Sequence, residues 1–164
     1  MKAHAIFPTQ IGRICVVTCT VIAILASGLF AWSALGFGIV GGICLLSSLR
    51  FNSVNGVTIG ACSLVVAAMF AGYEGAPALA VLITSTIAII TWDIGRFSIR
   101  LERQLGVAAT TVRLEAVHIL GTLSIGFLTT AFAYGIFISV AGGITSTVLA
   151  LFVIAAMFLI LALR

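Results

Sequence analysis

The stretch FNSVNGVTIGACSLVVAAMFAGY, residues 51–73, decides the fold because none of its 23 residues is charged. About 20 apolar residues are enough for one α-helix to cross the roughly 30 Å hydrocarbon core of a bilayer. Three further uncharged runs occupy residues 14–49, 75–92 and 116–163. Since the two longest runs can each fold back once, the chain has room for six membrane-spanning helices.

The composition of the whole chain agrees with a membrane protein and argues against several other classes. Of the 164 residues, 62% are hydrophobic and only 7% are charged, whereas soluble domains carry about 25% charge. So little polar surface cannot cover a water-soluble globule, and a disordered chain needs the opposite balance. We therefore expect neither a soluble enzyme, nor a nucleic-acid binder, nor a disulfide-stabilised secreted domain.

The predicted fold is all-α, an integral membrane helical bundle in which residues 1–164 form a single domain of six helices in three hairpins. The bends are expected near residues 32–36, at 72–77 and near 141–143, where glycine interrupts the apolar pattern. The second span is short enough to be either a full crossing or a re-entrant segment. The first is expected to be an uncleaved span, because its apolar run exceeds that of a usual signal peptide. The predicted spans are residues 14–31, 35–49, 54–72, 77–94, 118–139 and 144–163.

The basic residues predict the orientation of the chain in the membrane. Cytoplasmic loops of membrane proteins carry an excess of Lys and Arg. If the N-terminus is cytoplasmic, all eight basic residues lie on the cytoplasmic side, and Glu74 lies outside. We therefore expect a multi-pass protein of the cell membrane with both termini in the cytoplasm. The eight basic residues are Lys2, Arg13, Arg50, Arg96, Arg100, Arg103, Arg113 and Arg164.

The segment between the fourth and fifth spans, residues 95–117, is the most informative for function. Charged residues recur there at three- and four-residue spacing and apolar residues recur on another face, which is typical of an amphipathic helix. This helix is predicted to continue the fourth span and to end at Gly106. A polar stripe of Thr111, Glu115, His118 and Thr122 then leads into the fifth span. The candidate partner- or lipid-contacting residues are Asp93, Arg96, Arg100, Arg103, Arg113, Glu115 and His118.

Three interpretations of this segment remain open from the sequence. The arginines could extend to lipid phosphates from an interfacial helix. The segment could instead be a docking surface for a cytoplasmic or membrane partner. Alternatively, Asp93, Glu115 and His118 could meet the arginines in a buried polar cluster between the fourth and fifth spans, either structural or titrating through His118.

Small residues at four-residue spacing predict close helix packing. Such pairs let helices approach closely in lipid. They could pack the hairpins of one chain together, or pack one copy of the chain on another. The pairs are Gly38 with Gly42, Gly56 with Gly60, and Ala68 with Gly72.

The residues within the spans do not point to chemistry. No Asp, Glu, Lys or Arg lies near the middle of a predicted span, which argues against ion-coupled transport or pumping. Cys15 and Cys19 share a helix face near His4, but this is an incomplete metal-ligand set. We therefore predict no catalytic residue, no metal site and no cofactor.

The expected function is a non-enzymatic scaffold or accessory subunit that docks a partner through residues 93–118. The alternative is a small oligomeric channel or transporter for a neutral solute, with a membrane-embedded enzyme as the remaining class.

The central motif resembles that of small multipass membrane proteins of haloarchaea with no assigned function. It comprises Trp92-Asp93, then Gln104-Leu105-Gly106, then Thr111-x-Arg113-x-Glu115-x-x-His118, and the chain ends in Leu163-Arg164 as these proteins often do. The resemblance implies an archaeal cell membrane and an association with a MoxR-type AAA ATPase system. It implies no reaction. The chain departs from this pattern in having a basic rather than an acidic loop.

Overall fold

Five α-helices make up the described part of the chain, which is residues 10–105 and 112–140 of a computed structural model. Within these ranges the chain is all-helical, as predicted. Each helix is long and apolar enough to cross a membrane, which indicates a multi-pass membrane protein. The helices are α1 (Gln10–Gly28), α2 (Trp32–Phe51), α3 (Val54–Tyr73), α4 (Ala78–Leu105) and α5 (Val112–Val140).

These helices correspond to the first five predicted spans. The sixth, residues 144–163, and the bend predicted near 141–143 lie outside the described residues. The predicted extension of the fourth span is observed, because α4 continues without a break to Leu105. The second span is longer than predicted, since α2 has 20 residues and is therefore long enough for a full crossing.

The first bend was predicted too late in the chain. Residues 32–36 belong to α2, and the chain turns between Gly28 and Trp32, with Ala31 in an extended conformation. Here the predicted turn glycine, Gly36, is a helical residue. The other described turns follow the sequence more closely. Gly75 has a φ of 100° between α3 and α4, a left-handed conformation that glycine adopts readily.

A tight turn joins α2 to α3. Asn52 ends α2 in the left-handed conformation, with a φ of 51°, which Asn tolerates better than most residues. The Ser53 side chain then accepts the Gly56 N–H at 3.4 Å and caps the start of α3. A side-chain cap of this kind satisfies one of the N–H groups that have no acceptor within the helix.

Glycines set the closest helix crossings. A Cβ on Gly60 would lie 2.8 Å from the carbonyl oxygen of Gly41, so α2 and α3 meet backbone to backbone at this point. Gly38 and Gly42 lie against Ile24 of α1, and Gly72 lies against Val81 of α4. The predicted small-residue pairs therefore contribute to packing within one chain. The largest buried cluster lies among these helices and contains Ala23, Leu45, Val57, Leu64, Ala88 and Ile99.

By its internal contacts the chain divides into residues 1–130 and residues 131–164. The packing described above and the site described below belong to the first unit. The described part of the second unit is the end of α5, where the rings of Tyr134 and Phe137 are 6.3 Å apart between centroids.

Candidate functional site

Most of the predicted site residues lie at one end of the bundle, where α1, α3 and α5 begin and α2 and α4 end. We call this the basic end. Two long-range contacts show that the ends of α1, α4 and α5 meet. The Arg13 Nη2 of α1 donates to the Glu102 Oε2 of α4 at 2.9 Å, and the backbone N–H of Gly12 donates to the Glu115 Oε2 of α5 at 3.3 Å.

Asp93 joins α4 to α5 through a single carboxylate oxygen. The Thr122 hydroxyl donates to Asp93 Oδ2 at 2.8 Å, and His118 Nε2 lies 2.9 Å from the same oxygen. The His118 nitrogen lacks hydrogen-bonding geometry, so its contact with Asp93 is a close approach and not a hydrogen bond. The imidazole also stacks on the Phe97 ring, with 3.9 Å between centroids.

The contacts between α4 and α5 continue away from the basic end with the same helical spacing. Gly126 of α5 faces the Ile90 side chain, and the hydroxyls of Thr86 and Thr130 are 2.6 Å apart. Residues four apart lie on one face of a helix, so α5 uses a single stripe to contact α4. We call these paired positions the α4–α5 seam: Thr86, Ile90, Asp93 and Phe97 on α4, with His118, Thr122, Gly126 and Thr130 on α5.

Glu115 lies next to the seam and is completely buried. The Gly12 N–H that it accepts lies two residues after Gln10, the first residue of α1. A carboxylate is favoured at that position by the helix dipole as well as by the hydrogen bond. Ser98 of α4 also lies at this junction, because a Cβ on Gly12 would collide with its Oγ. Glu115 therefore caps α1 from α5.

The four predicted arginines differ in what they contact. Arg96 is directed along its own helix, with its Cζ 4.7 Å from the centre of the Trp92 ring, and the Trp92 Nε1 donates to Thr58 of α3 at 3.1 Å. Arg103 is exposed and donates to the backbone oxygen of Asn52 at 2.6 Å. Arg100 and Arg113 are exposed, and among the described residues neither forms a hydrogen bond or an ion pair.

The structure thus brings three of the seven predicted residues, Asp93, Glu115 and His118, into contacts between helices. Arg96 stacks on Trp92 of its own helix, and Arg103 is exposed but reaches Asn52 at the α2–α3 turn. Arg100 and Arg113 face outward. The roles of Gly12 and Ser98 were missed, because their contacts join residues far apart in the chain. Within the described ranges, no three His, Cys, Asp or Glu side chains are grouped closely enough to hold a metal ion.

One family matches the chain in comparisons with known proteins. The match covers residues 7–160, and the family is described as a family of unknown function (DUF7519). No curated protein and no solved structure matches the chain.

Proposed function

We propose that this chain, which belongs to the DUF7519 family, is a non-enzymatic scaffold or accessory subunit of the cell membrane that docks an acidic protein at its basic end. The proposal includes the finer topology expected from the sequence: six spans, with both termini and the basic end in the cytoplasm. The sequence resemblance adds an archaeal membrane and a MoxR-type AAA ATPase system as the candidate partner.

The observation that carries the proposal is that the acidic side chains at the basic end have partners within the described part of the protein, whereas an exposed basic side chain does not. Each of its three carboxylates contacts another helix: Asp93 contacts His118, Glu102 contacts Arg13, and Glu115 accepts the Gly12 N–H. Arg100, by contrast, has no partner among the described residues. The acidic groups are therefore engaged by other helices, while the charge of Arg100 is exposed. Such a field attracts and orients an acidic partner.

The exposed arginines of α2 and α4 define where that partner would bind. The hydrogen bond from Arg103 to Asn52 holds the end of α4 at the α2–α3 turn, two residues from the exposed Arg50. We call Arg50, Arg100 and Arg103 the docking surface. Arg suits an acidic partner, because its planar guanidinium can donate two parallel hydrogen bonds to the two oxygens of a carboxylate.

Site-specific photocrosslinking in native membranes tests the proposal. A photoreactive residue in place of the exposed Gln104, beside Arg100 and Arg103, leaves every arginine in place. We expect it to capture a peptide rich in Asp and Glu from a cytoplasmic protein. High salt should reduce the yield, since exposed charge pairs are screened within about 10 Å at 0.1 M salt.

Charge reversals provide the matched comparison. Arg100→Glu with Arg103→Glu should abolish the protein crosslink, whereas Arg113→Glu, an equivalent reversal on α5, should leave it unchanged. A probe that captures only lipid, or a protein crosslink that survives the double reversal, would show that the docking surface does not recognise a protein.

A permeability measurement distinguishes the scaffold from the alternative channel for a neutral solute. The hydroxyls of Thr20, Thr84 and Thr91 each donate to the carbonyl four residues earlier in their own helix. These hydroxyls are therefore already satisfied within single helices, which favours a scaffold over a polar pore. Purified protein in liposomes should not increase their permeability to small neutral solutes, and a clear increase would favour the channel.

A further inference from the structure

An open groove lies between the last turns of α4 and the first turns of α5. Its volume is about 620 Å³, and it is lined by Phe97, Arg113, Leu114, Val117 and His118. This volume falls within the range of about 300–1,000 Å³ that is usual for small-molecule sites. Three of the five lining side chains are apolar, and the stacked rings of Phe97 and His118 form a flat wall. The groove therefore combines an apolar surface with a cation at one end.

With the spans predicted from the sequence, the groove would lie at the boundary of the hydrocarbon. The predicted fourth span ends at residue 94 and the predicted fifth span begins at residue 118. At about 1.5 Å per helical residue, Phe97 lies about 4.5 Å beyond the first boundary and Arg113 about 7.5 Å beyond the second. An Arg at this distance reaches the phosphates of the lipid headgroups, while His118 and Val117 lie close to the acyl chains.

The charge of Arg113 is available for a ligand. The side chain is exposed, and no described residue forms an ion pair or a hydrogen bond with it. A guanidinium matches a phosphate with two parallel hydrogen bonds. Leu114 and Val117 are 54% and 65% exposed beside it, so an apolar chain would find uncovered hydrophobic surface to pack against.

We propose that this groove binds one membrane phospholipid, with the phosphate on Arg113 and an acyl chain along Leu114, Val117 and Phe97. The site is separate from the docking surface, which uses Arg50, Arg100 and Arg103, and the two proposals can fail independently. Since the bound lipid would contact both α4 and α5, it would also hold the two helices together where Asp93 meets His118.

Native mass spectrometry of protein released from phosphatidylglycerol nanodiscs tests this proposal. We expect one retained phospholipid in the wild-type protein. Arg113→Gln should weaken retention about fivefold, since one Arg near an anionic lipid surface contributes about 1 kcal/mol, and Arg100→Gln, the matched change on the docking surface, should not. Val117→Trp should block the groove while keeping Arg113. Helix content and elution volume show whether each variant is folded.

Two further measurements identify the part of the lipid that is recognised. Diacylglycerol, which lacks the phosphate, should not be retained, and millimolar inorganic phosphate should not displace the phospholipid. Equal losses from Arg113→Gln and Arg100→Gln, or full retention in folded Val117→Trp protein, would overturn the proposal. So would a photoreactive residue at Leu114 that captures a peptide rather than a lipid.

Discussion

Replacing Gly60 with alanine should separate α2 from α3. The new Cβ would lie 2.8 Å from the Gly41 carbonyl oxygen and 3.0 Å from the Leu45 backbone nitrogen. Backbone atoms cannot rotate away as a flexible side chain can. To bring the new Cβ to an ordinary contact of about 3.4 Å from the Gly41 oxygen, the helices must move apart by about 0.6 Å. A gap of about 0.5–1 Å between packed atoms loses a quarter to a half of their dispersion attraction. We expect a loss of about 1–3 kcal/mol in the free energy of unfolding, as for other overpacked cores.

Gly36→Ala is the matched control, because it makes the same change on an exposed part of α2. A Cβ on Gly36 meets no atom within 4 Å, and alanine is a better helix former than glycine by about 1 kcal/mol. This variant should therefore be as stable as the wild type or slightly more stable. Steric trapping in bicelles measures the free energy of unfolding of each protein. If the two substitutions changed it equally, the close approach of Gly41 and Gly60 would not be what holds this hairpin together.

Three further predictions concern the basic end and the α4–α5 seam. Thr86→Cys with Thr130→Cys should form a disulfide on mild oxidation, because the two hydroxyls are 2.6 Å apart. Thr86→Cys with Thr129→Cys should not form one. Equal crosslinking of both pairs would contradict the face of α5 that contacts α4. In a double-mutant cycle, the effects of Asp93→Ala and Thr122→Val on the free energy of unfolding should differ from additivity by about 0.6–1.7 kcal/mol. This is the range for hydrogen bonds between membrane helices. Simple additivity of the two effects would rule out a hydrogen bond between these side chains. Arg13→Glu alone should destabilise the protein by about 1 kcal/mol, because the pair that it breaks is partly exposed to solvent. Adding Glu102→Arg should restore thermal stability. A double variant no more stable than the single one would show that the pair is not needed.

The helices were predictable because the apolar runs are interrupted by charge at their ends. The bend before α2 was harder to predict, since glycine has two uses that look alike in a sequence. Gly75 permits a turn, whereas Gly38 and Gly42 remain helical and give room to Ile24 of α1. Which use applies depends on the neighbouring helix, and composition alone does not reveal that neighbour.

The candidate site was predictable only where its contacts are local or periodic. The stacking of Arg96 on Trp92 joins residues four apart, and the stripe of Glu115, His118 and Thr122 was visible from its spacing. The capping of α1 by Glu115 joins residues 103 positions apart, and no local pattern indicates it. The sequence therefore pointed to a segment that takes part in contacts between helices, without distinguishing the side chains that make these contacts from those that face outward.

The hydrogen bond from Arg103 to Asn52 has a consequence for how the protein is made. The donor follows its acceptor by 51 residues in the chain. A ribosome that adds about 5–20 residues per second needs roughly 3 to 10 s to synthesise these residues. During that interval α2 and α3 can enter the membrane as a hairpin whose turn still presents the Asn52 carbonyl to water. Only when α4 has crossed the bilayer can its last turns reach that oxygen, so the turn that forms early in biosynthesis is completed late.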